Sequence, residues 1–108
     1  MTTVDLKELA KGIQAIQIES LNDGGVTMWF GCNHYTRPKR LGGDGVTAHP
    51  SLDVTLFIGN KKGHHSYQFY DWQTPAQVWE KLDDMHKRFR KRPVLRDLVK
   101  ELKANYKG

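Results

Sequence analysis

The stretch LDVTLFI, residues 52–58, alternates apolar side chains at its even positions with Asp53, Thr55 and Phe57. A period of two is typical of a β-strand that buries one face. The turn-forming residues Asn-Lys-Lys-Gly follow at 60–63, and residues 65–72 form a second strand pattern. This part of the chain therefore predicts a β-hairpin.

The chain before this hairpin predicts a second one. Ile16 and Ile18 alternate with polar residues, and Asn-Asp-Gly-Gly at 22–25 is a strong hairpin-turn signal before a return strand over 26–32. A short helix that ends at Gly12, with Thr2 or Thr3 as its N-cap, is predicted upstream. Residues 33–51 contain prolines and glycines with little periodicity, so we expect a long functional or mobile loop.

The chain after the hairpin predicts two helices. Thr74-Pro75-Ala76-Gln77 offers an N-cap, a proline at the first helical position and a capping-box glutamine. A stripe of apolar residues follows until Pro93, after which residues 94–102 repeat the helical pattern; the stripe consists of Val78, Leu82, Met85 and Phe89. We expect residues 1–108 to form a single α+β domain. Its four-stranded antiparallel sheet of two hairpins would follow a short helix and carry two C-terminal helices on one face.

In architecture alone, four strands followed by a helix resemble the single-stranded nucleic-acid binders of the Whirly and PUR type. This resemblance implies a sheet that binds unpaired bases and a helix that packs or dimerises. No sequence motif of those families is present, and the N-terminal helix and the long loop depart from them.

The strongest electrostatic feature is the run HKRFRKR, residues 86–92, which carries five Lys or Arg residues in a chain of net charge +5. Residues 1–72 balance seven cations with seven acids, whereas residues 73–108 hold ten cations and five acids. Asp83 and Asp84 lie four residues before Lys87 and Arg88, a spacing that favours ion pairs along a helix. The surplus cations are Arg90, Lys91 and Arg92. They indicate a polyanionic partner, with a solvated, solubilising surface as the alternative.

The period of two also predicts an aromatic sheet face turned away from the helices. Trp29, Phe57 and Tyr70 fall on this face, where aromatic rings can stack on unpaired bases. Cations that could contact phosphates lie in the flanking loops: Arg37, Lys39, Arg40, Lys61 and Lys62. Alternatively, the long loop, the N-terminal helix or a homodimer partner covers these rings.

Other classes of function have weaker support. Cys32, His34, His49, His64 and His65 supply metal-ligand types, but their spacing matches no known zinc module, so we expect no metal and interpret Cys32 as a buried free thiol. No orienting group completes a Cys–His catalytic pair, and no cofactor motif is present, so we expect no enzyme and no cofactor. With one cysteine and no apolar run of ~20 residues, we expect a cytoplasmic protein with no membrane partner.

The sequence favours a non-enzymatic module that binds DNA or RNA, single-stranded and largely without sequence preference. The alternative is a small interaction module or inhibitor, of the kind phages and plasmids use, that engages an acidic protein surface.

Overall fold

The computed structural model describes residues 4–59 and 63–106. Their helices and strands follow one another in the order α1 (Leu6–Ser20), β1 (Val26–Thr36), a 3₁₀ turn (Lys39–Leu41), β2 (Ala48–Ile58), β3 (His65–Tyr70), α2 (Pro75–Arg88) and α3 (Pro93–Ala104). The α+β class is as predicted.

Over the described residues, the sheet has three strands in the order β1-β2-β3, and both neighbouring pairs are antiparallel. β1 pairs with β2 from Val26 opposite Ile58 to Thr36 opposite Ala48. β3 is shorter and pairs with β2 only from Ser51 to Leu56. The predicted four-stranded sheet of two hairpins is therefore wrong, and with it the strand order on which the architectural resemblance rested.

The residues predicted to form the first of the four strands, around Ile16 and Ile18, belong to α1. Ile13 and Ile16 are buried and Ile18 is 55% exposed, which is the three-residue spacing of a helix and not the alternation of a strand. Asp5, which caps the helix, accepts a hydrogen bond from the backbone N–H of Lys7 at 2.9 Å. The predicted caps Thr2 and Thr3 lie outside the described residues.

Gly12 lies inside α1 and does not end it. A Cβ atom at Gly12 would lie 2.5 Å from Cδ1 of Leu102 on α3, so the missing side chain lets the two helices approach closely. The helix instead ends near Leu21, where the backbone N–H groups of Asn22 and Asp23 bond to the carbonyls of Glu19 and Ser20. The segment 22–25 therefore connects a helix to a strand and is not a hairpin turn.

The predicted loop over 33–51 is also wrong at both ends. Residues 33–36 continue β1, and residues 48–51 begin β2. A strand shows alternating apolar residues only where one of its faces is buried. Cys32, His34 and Thr36 are all exposed because this end of the hairpin extends past the helices, so the pattern is absent here. The connection is thus reduced to residues 37–47.

The C-terminal helices agree with the prediction. Thr74 and Gln77 form the capping box of α2, and the predicted stripe of Val78, Leu82, Met85 and Phe89 is buried. α2 ends at Arg88, and Pro93 is the first residue of α3. Residues 89–92 consequently form the turn between the two helices.

The helices and the sheet share one core on one side of the sheet. The strands contribute alternate residues to it, from Val26 and Met28 on β1 through Val54 on β2 to Tyr67 and Phe69 on β3. Within residues 4–59 and 63–106, no helix covers the opposite face, and no helix is both long and apolar enough to cross a lipid bilayer.

Replacement of Ile16 and Ile18 tests the extent of α1. Ile16→Ala should lower the free energy of unfolding by about 2–5 kcal/mol because Ile16 is fully buried. Ile18→Ala should change it by less than about 0.5 kcal/mol because the side chain is exposed. A strand would place both residues on one face, so equal losses in urea denaturation would contradict the helix.

Candidate functional site

The uncovered sheet face carries the side chains that alternate with the core residues. The described side chains on it are Thr27, Trp29, Asn33, Tyr35, His49, Ser51, Asp53, Thr55, Phe57, Ser66, Gln68 and Tyr70. Trp29, Phe57 and Tyr70 were predicted to share this face, and the strand register brings them there. We call it the open face.

One end of the open face carries an aromatic patch of Trp29, Phe57 and His64. Trp29 and Phe57 meet edge to face, with 5.8 Å between ring centres, and His64 lies 5.5 Å from Phe57. Trp29 is 62% exposed, although it is the largest side chain of the three. An indole this exposed on a sheet surface can accept a flat ligand by stacking.

A basic groove adjoins the aromatic patch. It has a volume of about 500 Å³ and lies between the adjoining ends of β2 and β3, at residues 58 and 63–65, and the C-terminal end of α2. Its lining consists of Ile58, Gly63, His64, His65, Asp84, Lys87, Arg88 and Arg90. His64 belongs to both features, so the aromatic and basic surfaces are continuous.

Hydrogen bonds fix the wall of the basic groove. The Arg88 Nε group lies 3.0 Å from a carboxylate oxygen of Asp84, and the Tyr67 hydroxyl donates to the same oxygen at 2.6 Å. These two donors lower the pKa of Asp84, the Tyr67 hydrogen bond contributing most. Burial and the neighbouring Asp84 raise the pKa of Tyr67, so its hydroxyl remains a donor.

The cationic run divides into paired and unpaired members. Lys87 pairs with Asp83 at 3.3 Å and Arg88 with Asp84 at 3.0 Å, which confirms both predicted helix pairs. Arg90 and Lys91 are exposed, and neither forms an ion pair with a carboxylate of the described residues. Arg90 lines the basic groove and adds an uncompensated charge to it.

Arg92 differs from its two neighbours because it is engaged within the fold. Its guanidinium forms an ion pair with Asp23, just after α1, and the two side chains are 24% and 29% exposed. The hydrogen bond from Arg92 is the main cause that lowers the pKa of Asp23. A Cβ atom at Gly25 would lie 2.6 Å from the guanidinium, so a glycine leaves room for this contact.

The other predicted cations lie far along the β1–β2 hairpin. Arg37 places its guanidinium 5.6 Å from the ring centre of Trp72, while Lys39 and Arg40 are exposed on the 3₁₀ turn. The structure therefore separates these three residues from the basic groove. Lys61 and Lys62 lie outside the described residues.

The candidate metal and catalytic residues do not converge. Cys32 is exposed on the hairpin, so its interpretation as a buried thiol is wrong. His34 shares its strand face, but His49 lies on the opposite side of the sheet. Among the described side chains, no group of three His, Cys, Asp or Glu residues is placed to hold a metal ion.

Comparison of the chain with protein-family models, with curated proteins and with solved structures gave no match.

Sequence reasoning missed several residues that now lie beside the predicted ones. The sequence indicates His64 only as a possible metal ligand. In the structure its ring contacts Phe57 of the aromatic patch and also lines the basic groove. Tyr35 and His49 were assigned to a loop, but they face each other on paired strands of the open face. Trp29 and Tyr35 both have odd numbers, so a strand that continues beyond residue 32 places both rings on the same face. This was the signal available in the sequence.

The Asp23–Arg92 pair should contribute to stability in a pH-dependent way. A double-mutant cycle with Asp23→Asn and Arg92→Ala should give a coupling energy of about 1 kcal/mol at pH 7. Because the pKa of Asp23 is lower in the folded chain, this contribution is present above the unfolded value of about 3.9 and is lost as the pH falls through the folded pKa. Urea denaturation at pH 7 and at about pH 3.5 measures both values. A coupling energy that is the same at both would contradict the assignment.

Proposed function

We propose that this chain is a cytoplasmic, non-enzymatic module that binds single-stranded DNA or RNA on its open face, largely without sequence preference. The observation that carries the proposal is the exposed indole of Trp29 beside Phe57 and His64, in direct continuity with the basic groove. Stacking rings next to cations are the two elements that single-strand binding requires.

The aromatic patch supports binding of unpaired bases in particular. Bases of a duplex stack on one another and expose only their edges, whereas an unpaired base can lie flat against an aromatic ring. Trp29 extends from a sheet surface with no described element above it, so a base has access to the ring. The proposed ligand is therefore a single strand and not a duplex.

The charges suggest where the phosphates of such a strand would lie. Arg90 contributes an uncompensated cation to the basic groove, and Lys91 lies next to it on the α2–α3 turn. Arg88 is oriented by Asp84 and Tyr67, so it presents a fixed guanidinium at the same wall. The proposed contacts place phosphates along this edge of the open face and bases on the rings.

Arg92 is not part of the proposed interface. Its charge is compensated by Asp23, and release of Arg92 for a ligand would break this partly buried ion pair. The predicted cluster of three surplus cations is thereby reduced to Arg90 and Lys91.

Removal of the two unpaired cations tests the phosphate contacts. The double variant Arg90→Ala/Lys91→Ala should weaken binding of a labelled oligonucleotide and reduce the slope of log K against log salt by about 0.7 per lost contact, or about 1.4 in total. Fluorescence anisotropy at several salt concentrations measures the slope. Lys7→Ala/Lys100→Ala is the matched control, because it removes the same charge from exposed helix positions and should leave the slope unchanged. Equal slopes for both double variants, or no binding by the native chain at low salt, would overturn the proposal.

Replacement of the exposed indole tests base stacking. Trp29→Ala should cost about 1–3 kcal/mol of binding free energy, and Trp29→Phe should retain part of it because the phenyl ring still stacks. Leu21→Ala, which truncates a side chain that is 81% exposed at the end of α1, is the control for loss of surface area. Thermal melting of each variant checks that the fold is intact. If the alanine variant is folded and binds like the native chain, bases do not stack on Trp29.

A second candidate function is binding to an acidic protein surface through the hairpin connection. Leu41 and Val46 are 62% and 83% exposed there, beside the cations Lys39 and Arg40. Exposed apolar side chains flanked by cations are suited to a protein partner. A pull-down from lysate with and without nuclease separates the two functions: an acidic protein retained after nuclease, and released by Leu41→Ala/Val46→Ala, would favour this second candidate.

A further inference from the structure

The open face carries a second cluster of aromatic and cationic side chains at the end away from the basic groove. Tyr70 and Trp72 are stacked there, with an angle of 11° between rings whose centres are 5.6 Å apart. Arg37 lies 5.6 Å from the Trp72 ring centre, and Trp72 remains 45% exposed. We call Arg37, Tyr70 and Trp72 the distal shelf.

A network of side chains beside the distal shelf contacts the Tyr70 ring. The Tyr35 ring meets the Tyr70 ring at 5.0 Å and donates a hydrogen bond of 2.6 Å from its hydroxyl to Asp71. His49 lies 3.3 Å from the other carboxylate oxygen of Asp71. Burial and Asp71 raise the pKa of Tyr35 to about 12, so this hydroxyl stays protonated and the hydrogen bond persists at neutral pH.

The connection beside the distal shelf is also ordered by hydrogen bonds. The backbone N–H groups of Gly43 and Gly45 bond to the carbonyls of Pro38 and Arg37, both at 3.0 Å. Asp44 accepts hydrogen bonds from the backbone of Val46 and Thr47 at 2.9 and 2.7 Å. The exposed cations Lys39 and Arg40 therefore belong to a defined loop that starts at Arg37.

The two ends of the open face are separated by polar side chains. Trp29 and Tyr35 lie six residues apart on β1, which corresponds to roughly 20 Å at about 3.3 Å per residue. Between them, Asn33 donates a hydrogen bond of 2.5 Å to Asp53, and Gln68 accepts one from the Tyr70 hydroxyl at 3.1 Å. Asp53 carries a negative charge that repels phosphate in the middle of the face, and none of these three polar side chains, Asn33, Asp53 and Gln68, offers a stacking ring.

We infer that the distal shelf is a second anchor for the same single strand, and that the ligand is an extended single strand long enough to reach both ends of the open face. The inference rests on the proposed function. A base stacks on the exposed part of the Trp72 ring beside Arg37, and Arg37 with the neighbouring Lys39 supplies the phosphate contact at this end. Because the middle of the face contributes little, affinity rises in a step when the strand first spans both anchors, and not gradually with each added nucleotide.

A length series of labelled oligodeoxythymidines and oligouridines tests this inference. Lengths from about 3 to about 16 nucleotides include the site sizes of about 4–16 nucleotides that OB folds bind. In fluorescence anisotropy at fixed low salt, the native chain should show an increase in affinity of about tenfold or more at one length, the effect expected of one further stacked base. Duplexes of the same lengths should show no step, because their bases are unavailable for stacking.

Variants at the distal shelf identify the source of the step. Trp72→Ala should abolish the step, whereas Trp29→Ala should weaken binding at every length. Arg37→Gln keeps the side-chain bulk and should reduce the step, so it serves if Trp72→Ala does not fold. Val94→Ala, at an exposed apolar position on α3, is the control and should retain the step.

The outcomes separate the two proposals. Binding with a gradual length dependence, or a step that persists in both Trp72→Ala and Arg37→Gln, overturns the second anchor and leaves the proposed function standing. No binding at any length overturns the proposed function and the second anchor together.

Discussion

Burial of a single face of the sheet is the constraint on which the rest of the structure depends. The strands supply core residues only from one side, and all three helices contribute their buried side chains to that same core. The close approach of α1 to α3 at Gly12 helps to fit three helices on one three-stranded sheet. One consequence is that aromatic side chains on the other face have no described helix to cover them, which is an unusual arrangement for rings as large as Trp29 and Trp72.

The cations of the run 86–92 make different contacts because the run spans the end of α2 and the turn between α2 and α3. Lys87 and Arg88 are paired along α2, and Arg92 reaches back to the end of α1. This last contact ties the first helix to the third, so part of what resembles a ligand-binding cluster in the sequence stabilises the fold. Arg90 and Lys91 remain outside these contacts, and the basic groove owes its surplus of positive charge to Arg90.

The sequence was sufficient where a pattern depends on local chemistry. The capping box at Thr74, the stripe of α2 and the ion pairs of Asp83 and Asp84 are all encoded within a few residues. It failed where burial differs from the local pattern. Ile18 is apolar but exposed, so Ile16 and Ile18 together produced the alternating pattern of a strand within a helix. The far ends of β1 and β2 show no alternation of apolar residues because they extend past the core. The pairing of Arg92 with Asp23 joins residues far apart in the chain, and no spacing rule indicates it.

The extension of the β1–β2 hairpin past the helices also has a consequence for native-state dynamics. Beyond Ser51, the paired residues from His34 and Pro50 to Thr36 and Ala48 have no third strand beside them in the part of the chain that the structure describes. Local opening costs less free energy where fewer apolar contacts are lost, so we expect amide hydrogens here to exchange faster than those over the core. The hairpin end can therefore open while the helices remain packed, and the rings and hydrogen bonds around Tyr35 oppose this opening together with the β1–β2 pairing.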